Sequence, residues 1–304
     1  MHLEFEKWHG CNNDFVVAWI QGTDKDLIIP SLQRQAARIC SRTGSGIAAD
    51  GLLILVTRDR RELYPEELIV INSDGSLAKN CGNGLRCAAR SVLRKLQAAG
   101  TAPGDMPPAF ELQIQGRVFW CKVFDQKVFG AKGFIGVGMG EAEVEAIGAG
   151  HRLRAALELA LMSPRADQLT FYRVVIGNPH LVLLGMPPDA MRLAAFAEAV
   201  QNLDGWDGIN VHFAEESAAV KNVSVQVDQS LTVLPWERGV GLTQACGSGA
   251  VAVAAAVAAQ DAMGESEGWT MIRMPGGDLF IQIAEENHTL AGPAELVFTG
   301  ALEI

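Results

Sequence analysis

"KNCGNGLRCAAR" (79–90) and "QACGSGAVAVAA" (244–255) decide the reading of this chain. Each sets one cysteine, Cys81 or Cys246, ahead of Gly-x-Gly and then enters a helix-forming run. In the first run Leu85, Ala89, Val92, Leu93 and Leu96 share one helical face. Arg86, Arg90 and Arg94 recur every four residues on the other. The second run is apolar all round, so its helix is expected to be buried.

Working outward, each turn is preceded by strands. "LEFEKW" alternates apolar and polar residues, and "DFVVAWI", "GLLILV" (51–56) and "ELIVIN" (67–72) are β-branched or apolar runs. Ser31 to Cys40 has the pattern of an amphipathic helix, and the helix after Cys81 should stop near Gly100. Strands resume over "AFELQIQGRVFWCKVF" (109–124). The later half runs in the same order. "FYRVVIGNPHLVLL" gives strand, break, strand; "MRLAAFAEAVQNL" a helix; "NVSVQVDQSLTVLPWERG" a hairpin. The second cysteine turn and "AELVFTGALEI" follow. An approximate internal duplication accounts for this order. The expected domains are 1–129 plus 296–304, carrying Cys81, and 130–295, carrying Cys246. Two duplicated halves facing each other would bring their equivalent turns, and so the two thiols, to one cleft.

Composition narrows the function. The 304 residues are 49% apolar and 20% charged, which is globular, and the net charge of -10 disfavours a nucleic-acid partner. The longest apolar run, Ala250 to Ala259, is too short to span a bilayer, and the N-terminus lacks a signal pattern. A cytoplasmic protein without a membrane partner is expected. Six cysteines in a chain of this length do not make a disulfide scaffold. Cys81 and Cys87 are six residues apart, unlike the usual metal-ligand spacing, so no metal is expected. Cys11, Cys40, Cys87 and Cys121 read as small packed apolar residues.

A cysteine at a helix start sits at unpaired N–H groups and the positive dipole end. Its pKa is expected to fall below the ordinary ~8.5, and the same N–H groups can cradle a carboxylate. A thiolate on one side of a carbon and a thiol on the other can remove and return a proton at opposite faces. Donors aimed at the charge building on the adjacent carboxylate contribute roughly 3 kcal/mol each. Such a two-base inversion needs no electron-sink cofactor.

Seven segments together resemble the diaminopimelate epimerase family. They are "KWHGCNNDFVV" (7–17), "GIAADGLLIL" (46–55), "INSDGSLAKNCGNGLRC" (71–87), "IGNPHLVLL" (176–184), "GINVHF" (208–213), "WERGVGLTQACGSGAVAVA" (236–254) and "GPAELVFTGALEI" (292–304). They run in order along nearly the whole chain. The resemblance implies an α+β fold of two structurally similar domains, each a curved, mostly antiparallel sheet around a central helix. It implies an isomerase, independent of pyridoxal phosphate and of any other cofactor, that interconverts LL- and meso-diaminopimelate in lysine and peptidoglycan precursor biosynthesis. A homodimer is compatible with it.

The family pattern puts the acid/base pair at Cys81 and Cys246. Gly82, Asn83, Gly247 and Ser248 form the cradle at the reacting carboxylate. Asn13, Asn72, Asn178, Asn210 and Arg238 match positions that hold the substrate, and Glu237 matches the contact to its amino group. His180 is expected near one thiol, tuning it. Residue by residue, Asn72 and Asn178 also read as turn formers, Glu237 and Arg238 as a solvated pair, and His180 as a core histidine. The chain departs from the pattern at Asn12 and Ala48, where glycine is usual, at Gly51, where some members carry glutamine, and at the variable Asn80. Its stretches 101–108 and 141–168 are enlarged. A racemase of another amino acid such as histidine, a proline-type racemase, and a non-catalytic amino-acid-binding relative are the alternatives. Both thiols, Glu237 and the distal-end ligands are retained, which disfavours all three.

Overall fold

A computed structural model of the chain describes residues 2–59, 61–78, 81–129, 133–148, 151, 154–161, 169–206, 208–218, 223–261 and 268–304. Asn80 and parts of the stretch 141–168 lie outside the described residues. The chain divides into two compact units, Met1–Gly138 with Ala291–Ile304, and Met139–Leu290.

The first unit opens with the hairpin β1 (His2–Gly10) and β2 (Asn13–Gln21). Its turn residues Cys11 and Asn12 both have positive φ, 54° and 61°. A two-residue hairpin turn of the primed type demands this of both central residues, because its twist matches that of the strands. Helix α1 (Lys25–Cys40) then crosses over to β3 (Gly51–Thr57), which lies parallel to β2. Next come β4 (Glu67–Asn72), antiparallel to β3, the short β5 (Leu77–Ala78), and helix α2 (Gly82–Ala98). The antiparallel run β6 (Ala109–Ile114), β7 (Arg117–Val123) and β8 (Phe134–Gly138) follows, with a four-residue helix, α3 (Gln126–Phe129), before β8.

Helix α1 starts a turn and a half earlier than its apolar periodicity indicates, with Pro30 inside it. One ladder bond is lost at Pro30. Ile28, Ile29, Leu32, Ala36 and Ile39 offset this by burial against Val16, Ala18, Leu52, Ile54 and Ile71, each large side chain contributing about 2 kcal/mol. Strand β3 is apolar at nearly every position because it is covered on both faces. Leu52 and Ile54 meet α1, while Leu53 meets α2 at Gly84.

The second unit repeats this succession. Strand β9 (Glu143–Ala146) and helix α4 (Arg154–Leu161) lead to the hairpin β10 (Thr170–Ile176) and β11 (Asn178–Leu184). Helix α5 (Ala190–Gln201) crosses over to β12 (Asn210–Glu216), parallel to β11. Strand β13 (Val227–Glu237) is antiparallel to β12, β14 (Gly241–Leu242) folds back on it, and α6 (Gly247–Gln260) follows. Strands β15 (Trp269–Met274) and β16 (Gly277–Gln282) come next; β15 pairs with β13. Strand β17 (Thr289–Pro293) leads back to the first unit, where β18 (Glu295–Glu303) pairs with β1.

Both units thus run hairpin, crossover helix, parallel strand, antiparallel strand, two-residue strand, cysteine, helix. The two-domain α+β fold expected from the resemblance is present, and α6 is buried on all sides as its composition requires. One expectation fails. The hairpin expected within "NVSVQVDQSLTVLPWERG" does not form: among the described residues Val227–Glu237 make one long strand that folds back only after Glu237, because β13 is held between β12 and β15. The three arginines of α2 differ in their surroundings. Arg86 is fully buried, with Nε toward the Pro293 carbonyl, and Arg90 is half-buried; only Arg94 is exposed, paired with Glu6. Helix α2 is covered on its polar side too, and helical periodicity alone does not report a second layer. Among the described residues no helix is long and apolar enough to cross a membrane.

Candidate active site

Each thiol caps the helix that follows it. Cys81 and Cys246 have extended backbones, and their sulfurs accept hydrogen bonds from the N–H groups of Gly84 at 3.3 Å and Gly249 at 3.4 Å. A side-chain acceptor three residues ahead of an orphan N–H is the N-cap arrangement, here made with sulfur. The second glycine of each Gly-x-Gly is fixed by that fold-over. A Cβ on Gly84 would stand 2.9 Å from the Cys81 sulfur, and one on Gly249 3.1 Å from the Cys246 sulfur. Gly82, Asn83, Gly247 and Ser248 supply the first-turn N–H groups. Cys81 is half-buried; Cys246 is buried.

Around Cys81, the first unit assembles Asn13 and Asn83. The Asn83 amide donates to Asn13 Oδ1 at 3.1 Å, and the Asn13 amide donates to Asp50 at 2.6 Å. Asp50 also accepts the Asp14 backbone N–H and pairs with Arg42, which in turn pairs with Asp14. Lys7, almost wholly buried, pairs with Asp14 at 2.7 Å and donates to the Ala48 carbonyl. Burial by itself would raise the Asp14 carboxyl. Hydrogen bonds from Lys7 and Arg42, with the Lys7 charge, overcome this and hold it below its ordinary value. Asn72 lies at the exposed end of β4, its amide donating to Ser76 Oγ at 2.9 Å, which is the turn-forming arrangement.

The departures from family glycines keep the backbone that glycine would give. Asn12 and Ala48 both have φ of 61°. Asparagine tolerates this left-handed region; alanine pays about 1–2 kcal/mol. The bond from Lys7 to the Ala48 carbonyl holds that residue in place.

Around Cys246, the second unit assembles Glu237, Asn210, Ser248, His180 and His212. Thr243 donates to Glu237 at 2.7 Å. Asn210 Oδ1 accepts the Arg238 backbone N–H at 3.0 Å, and the Asn210 side-chain amide donates to the Pro179 carbonyl. The exposed Arg238 side chain packs over Gly208, where a Cβ would fall 2.8 Å from its Nη1. Asn178 is exposed at the start of β11. Ser248 Oγ lies 3.7 Å from the Cys246 sulfur.

Strand alternation explains the histidines. Leu181, Leu183, Val211 and Phe213 pack with α5, so His180 and His212 point to the opposite face of the sheet. There His212 Nε2 would be 2.7 Å from a Cβ on Gly249, so its ring lies against the first turn of α6. His180 Nδ1 and His212 Nε2 are 2.9 Å apart. Burial lowers the pKa of His180 to about 3 and that of His212 well below 6.5, so both rings are neutral.

The expected fall in thiol pKa fails at Cys246. Burial, joined by the charge of Glu237, raises it well above the ordinary value, and the Gly249 N–H only moderates this. A helix terminus stabilises a thiolate by little when the sulfur is removed from water beside a carboxylate. Cys246 therefore rests as a thiol. Cys40 and Cys121 are also raised by burial, to about 11 and about 12, and Cys87 is raised for the same reason. These three are packing residues, as their sequence contexts indicate.

Sequence reasoning missed His212, Asp50, Asp14 and Lys7. His212 was legible only as one position of "GINVHF", and its role depends on a strand face. Asp50 and Lys7 are 43 positions apart, so no local pattern links them.

The family model for diaminopimelate epimerase matches residues 5–103 and 172–299. The diaminopimelate epimerase of Carboxydothermus hydrogenoformans is 30% identical over 305 residues, covering 98% of each chain. That of Methanocaldococcus jannaschii is 26% identical, covering 99% of this chain and 98% of its own. Among solved structures, a Bacillus anthracis phenazine biosynthesis protein of the PhzF family is similar with a TM-score of 0.67, at 11% identity and full coverage of both chains. A hydroxyproline epimerase from Agrobacterium vitis gives 0.62 at 12% identity, covering 99% of this chain and 92% of its own. At such identities the two structures speak to the fold alone.

Proposed function

We infer the function from one premise: this chain belongs to the diaminopimelate epimerase family. It is an isomerase that interconverts LL- and meso-diaminopimelate by moving a proton at one α-carbon, a step of lysine and peptidoglycan precursor biosynthesis. The observation that carries this reading is the duplicated sulfur cap, Cys81 on α2 and Cys246 on α6, within a family match that spans both units.

In the proposed mechanism the two thiols flank the reacting carbon. In one direction Cys246 as the thiol donates its proton to one face while Cys81 acts as the base at the other; in the reverse direction the two exchange roles. N–H groups of Gly82, Asn83, Gly247 and Ser248 receive the reacting carboxylate as negative charge builds on it. Glu237 takes the adjacent ammonium. Once engaged there, its charge bears less on Cys246, and the thiolate left after proton donation becomes easier to form. Asn13, Asn72, Asn178, Asn210 and Arg238 hold the distal amino-acid end, with Arg238 able to grip a carboxylate through two N–H groups. Each outer group gripped this way leaves a polar partner unpaired in any analogue that lacks it. His180 lies on the Cys246 side and tunes that thiol. The scheme calls for no cofactor.

The same reading makes the protein a cytoplasmic enzyme without nucleic-acid or membrane partners. It also makes it a homodimer. Among the described residues β18 ends its sheet and exposes Leu296, Val297 and Phe298, an apolar edge suited to a second copy.

The test is incubation of the reduced enzyme with LL-diaminopimelate in D₂O. One deuterium should enter the inverted α-carbon in each turnover. Folded, reduced protein that exchanges no deuterium rejects the reading. Exchange with histidine or proline in place of diaminopimelate selects the corresponding racemase instead.

A further inference from the structure

Behind Cys246 stand two side chains that the two-base scheme does not need as acid or base. One donor atom each of His180, His212 and Cys246 lies within 4.8 Å of the others, and all three residues are buried. The rings stack with centroids 5.1 Å apart and planes 30° apart. Their inner nitrogens, His180 Nδ1 and His212 Nε2, are 2.9 Å apart. Their outer nitrogens, His180 Nε2 and His212 Nδ1, are buried with no hydrogen-bond partner among the described residues.

We propose that His180, His212 and Cys246 form a site for one thiophilic divalent cation of the zinc class, and that its occupancy shuts off Cys246. One thiolate and two imidazoles are the ligand set that selects zinc over harder cations. Gly249 leaves the room, since any Cβ there would press on both His212 and the sulfur.

The protons balance. Two neutral rings carry two protons on four nitrogens. One proton is shared between the inner nitrogens and the other sits on an outer nitrogen. Moving the shared proton to the vacant outer nitrogen leaves both rings neutral and frees two inner lone pairs. The thiol proton leaves to buffer as the sulfur–metal bond forms, and nothing is oxidised or reduced. Metal–nitrogen bonds of about 2.1 Å set tetrahedral edges near ~3.4 Å, so the inner nitrogens must part by about 0.5 Å and both rings must turn to aim their lone pairs at the ion.

The test uses Co²⁺ as a spectroscopic probe on the reduced, chelator-treated protein, and it does not depend on turnover. A thiolate-to-cobalt charge-transfer band should saturate at one equivalent and be displaced by Zn²⁺. It should persist in Cys81→Ser and vanish in Cys246→Ser. His212→Gln, with folding checked by circular dichroism, should weaken binding roughly 10-fold or more. His180→Gln serves the same purpose should His212→Gln not fold. No band at one equivalent, a band that survives Cys246→Ser, or affinity unchanged in a folded histidine variant overturns the site. Because the band is read without substrate, either outcome leaves the epimerase assignment to the deuterium experiment.

Discussion

The sulfur of Cys246 accepts the backbone N–H of Gly249 at 3.4 Å, on a glycine that also has the His212 ring packed against it. Cys81 and Gly84 repeat the bond at 3.3 Å, with Leu53 in the place of the histidine. The two caps share a backbone and differ in what packs behind them.

Alanine at either glycine should therefore damage both stability and activity. A Cβ at Gly84 falls 2.9 Å from the Cys81 sulfur and 3.0 Å from Leu53; one at Gly249 falls 2.7 Å from His212 Nε2. Each change should cost about 1–3 kcal/mol through forced repacking. It should also lower turnover by displacing the thiol. Urea unfolding and kcat measured on Gly84→Ala and Gly249→Ala check this; wild-type values for both would mean the caps do not position the sulfurs.

Ala48→Gly should stabilise the protein. Its φ of 61° is left-handed, where alanine costs about 1–2 kcal/mol relative to glycine, less the greater freedom glycine has when unfolded. A net gain of roughly 0.5–1 kcal/mol in urea midpoints is expected. A loss would show that the Lys7 bond to the Ala48 carbonyl needs alanine's restricted backbone.

The buried histidines give a signed pH dependence. In the unfolded chain they titrate near ~6.5, whereas the fold holds His180 down to about 3 and His212 well below its ordinary value. As pH falls from ~6.5 toward 3, the unfolded state binds protons that the folded state refuses, so this part of the stability is full above ~6.5 and is lost on acidification. Unfolding midpoints at about pH 7.5 and about pH 4.5 should drop further for the wild type than for the His180→Gln/His212→Gln variant. Equal drops would place neutral, buried imidazoles in doubt.

Inversion should require both sulfurs and the fork of Arg238. Cys81→Ala and Cys246→Ala should each lower kcat on the order of 10³-fold or more. Near-normal turnover in either ends the two-base scheme. Arg238→Lys should raise KM by about 10–100-fold, because an ammonium cannot reproduce a charged bidentate pair. An unchanged KM removes Arg238 from the substrate site.

Much of this was legible in the sequence because its causes are local. A cysteine before Gly-x-Gly marks a cap within three residues, an apolar run without a polar face marks the buried α6, and alternation marks most strands. These patterns, with the family segments, determined the two cysteines, the α+β class and the site candidates. The tertiary structure alone decided what stands behind them. It buried Arg86, joined Lys7 and Asp14 to Arg42 and Asp50 behind Asn13, turned His212 toward Gly249, and raised the Cys246 thiol instead of lowering it. A helix cap depends on neighbours along the chain. Burial, strand facing and the charge beside a sulfur depend on residues brought from distant positions, and no window of sequence contains them.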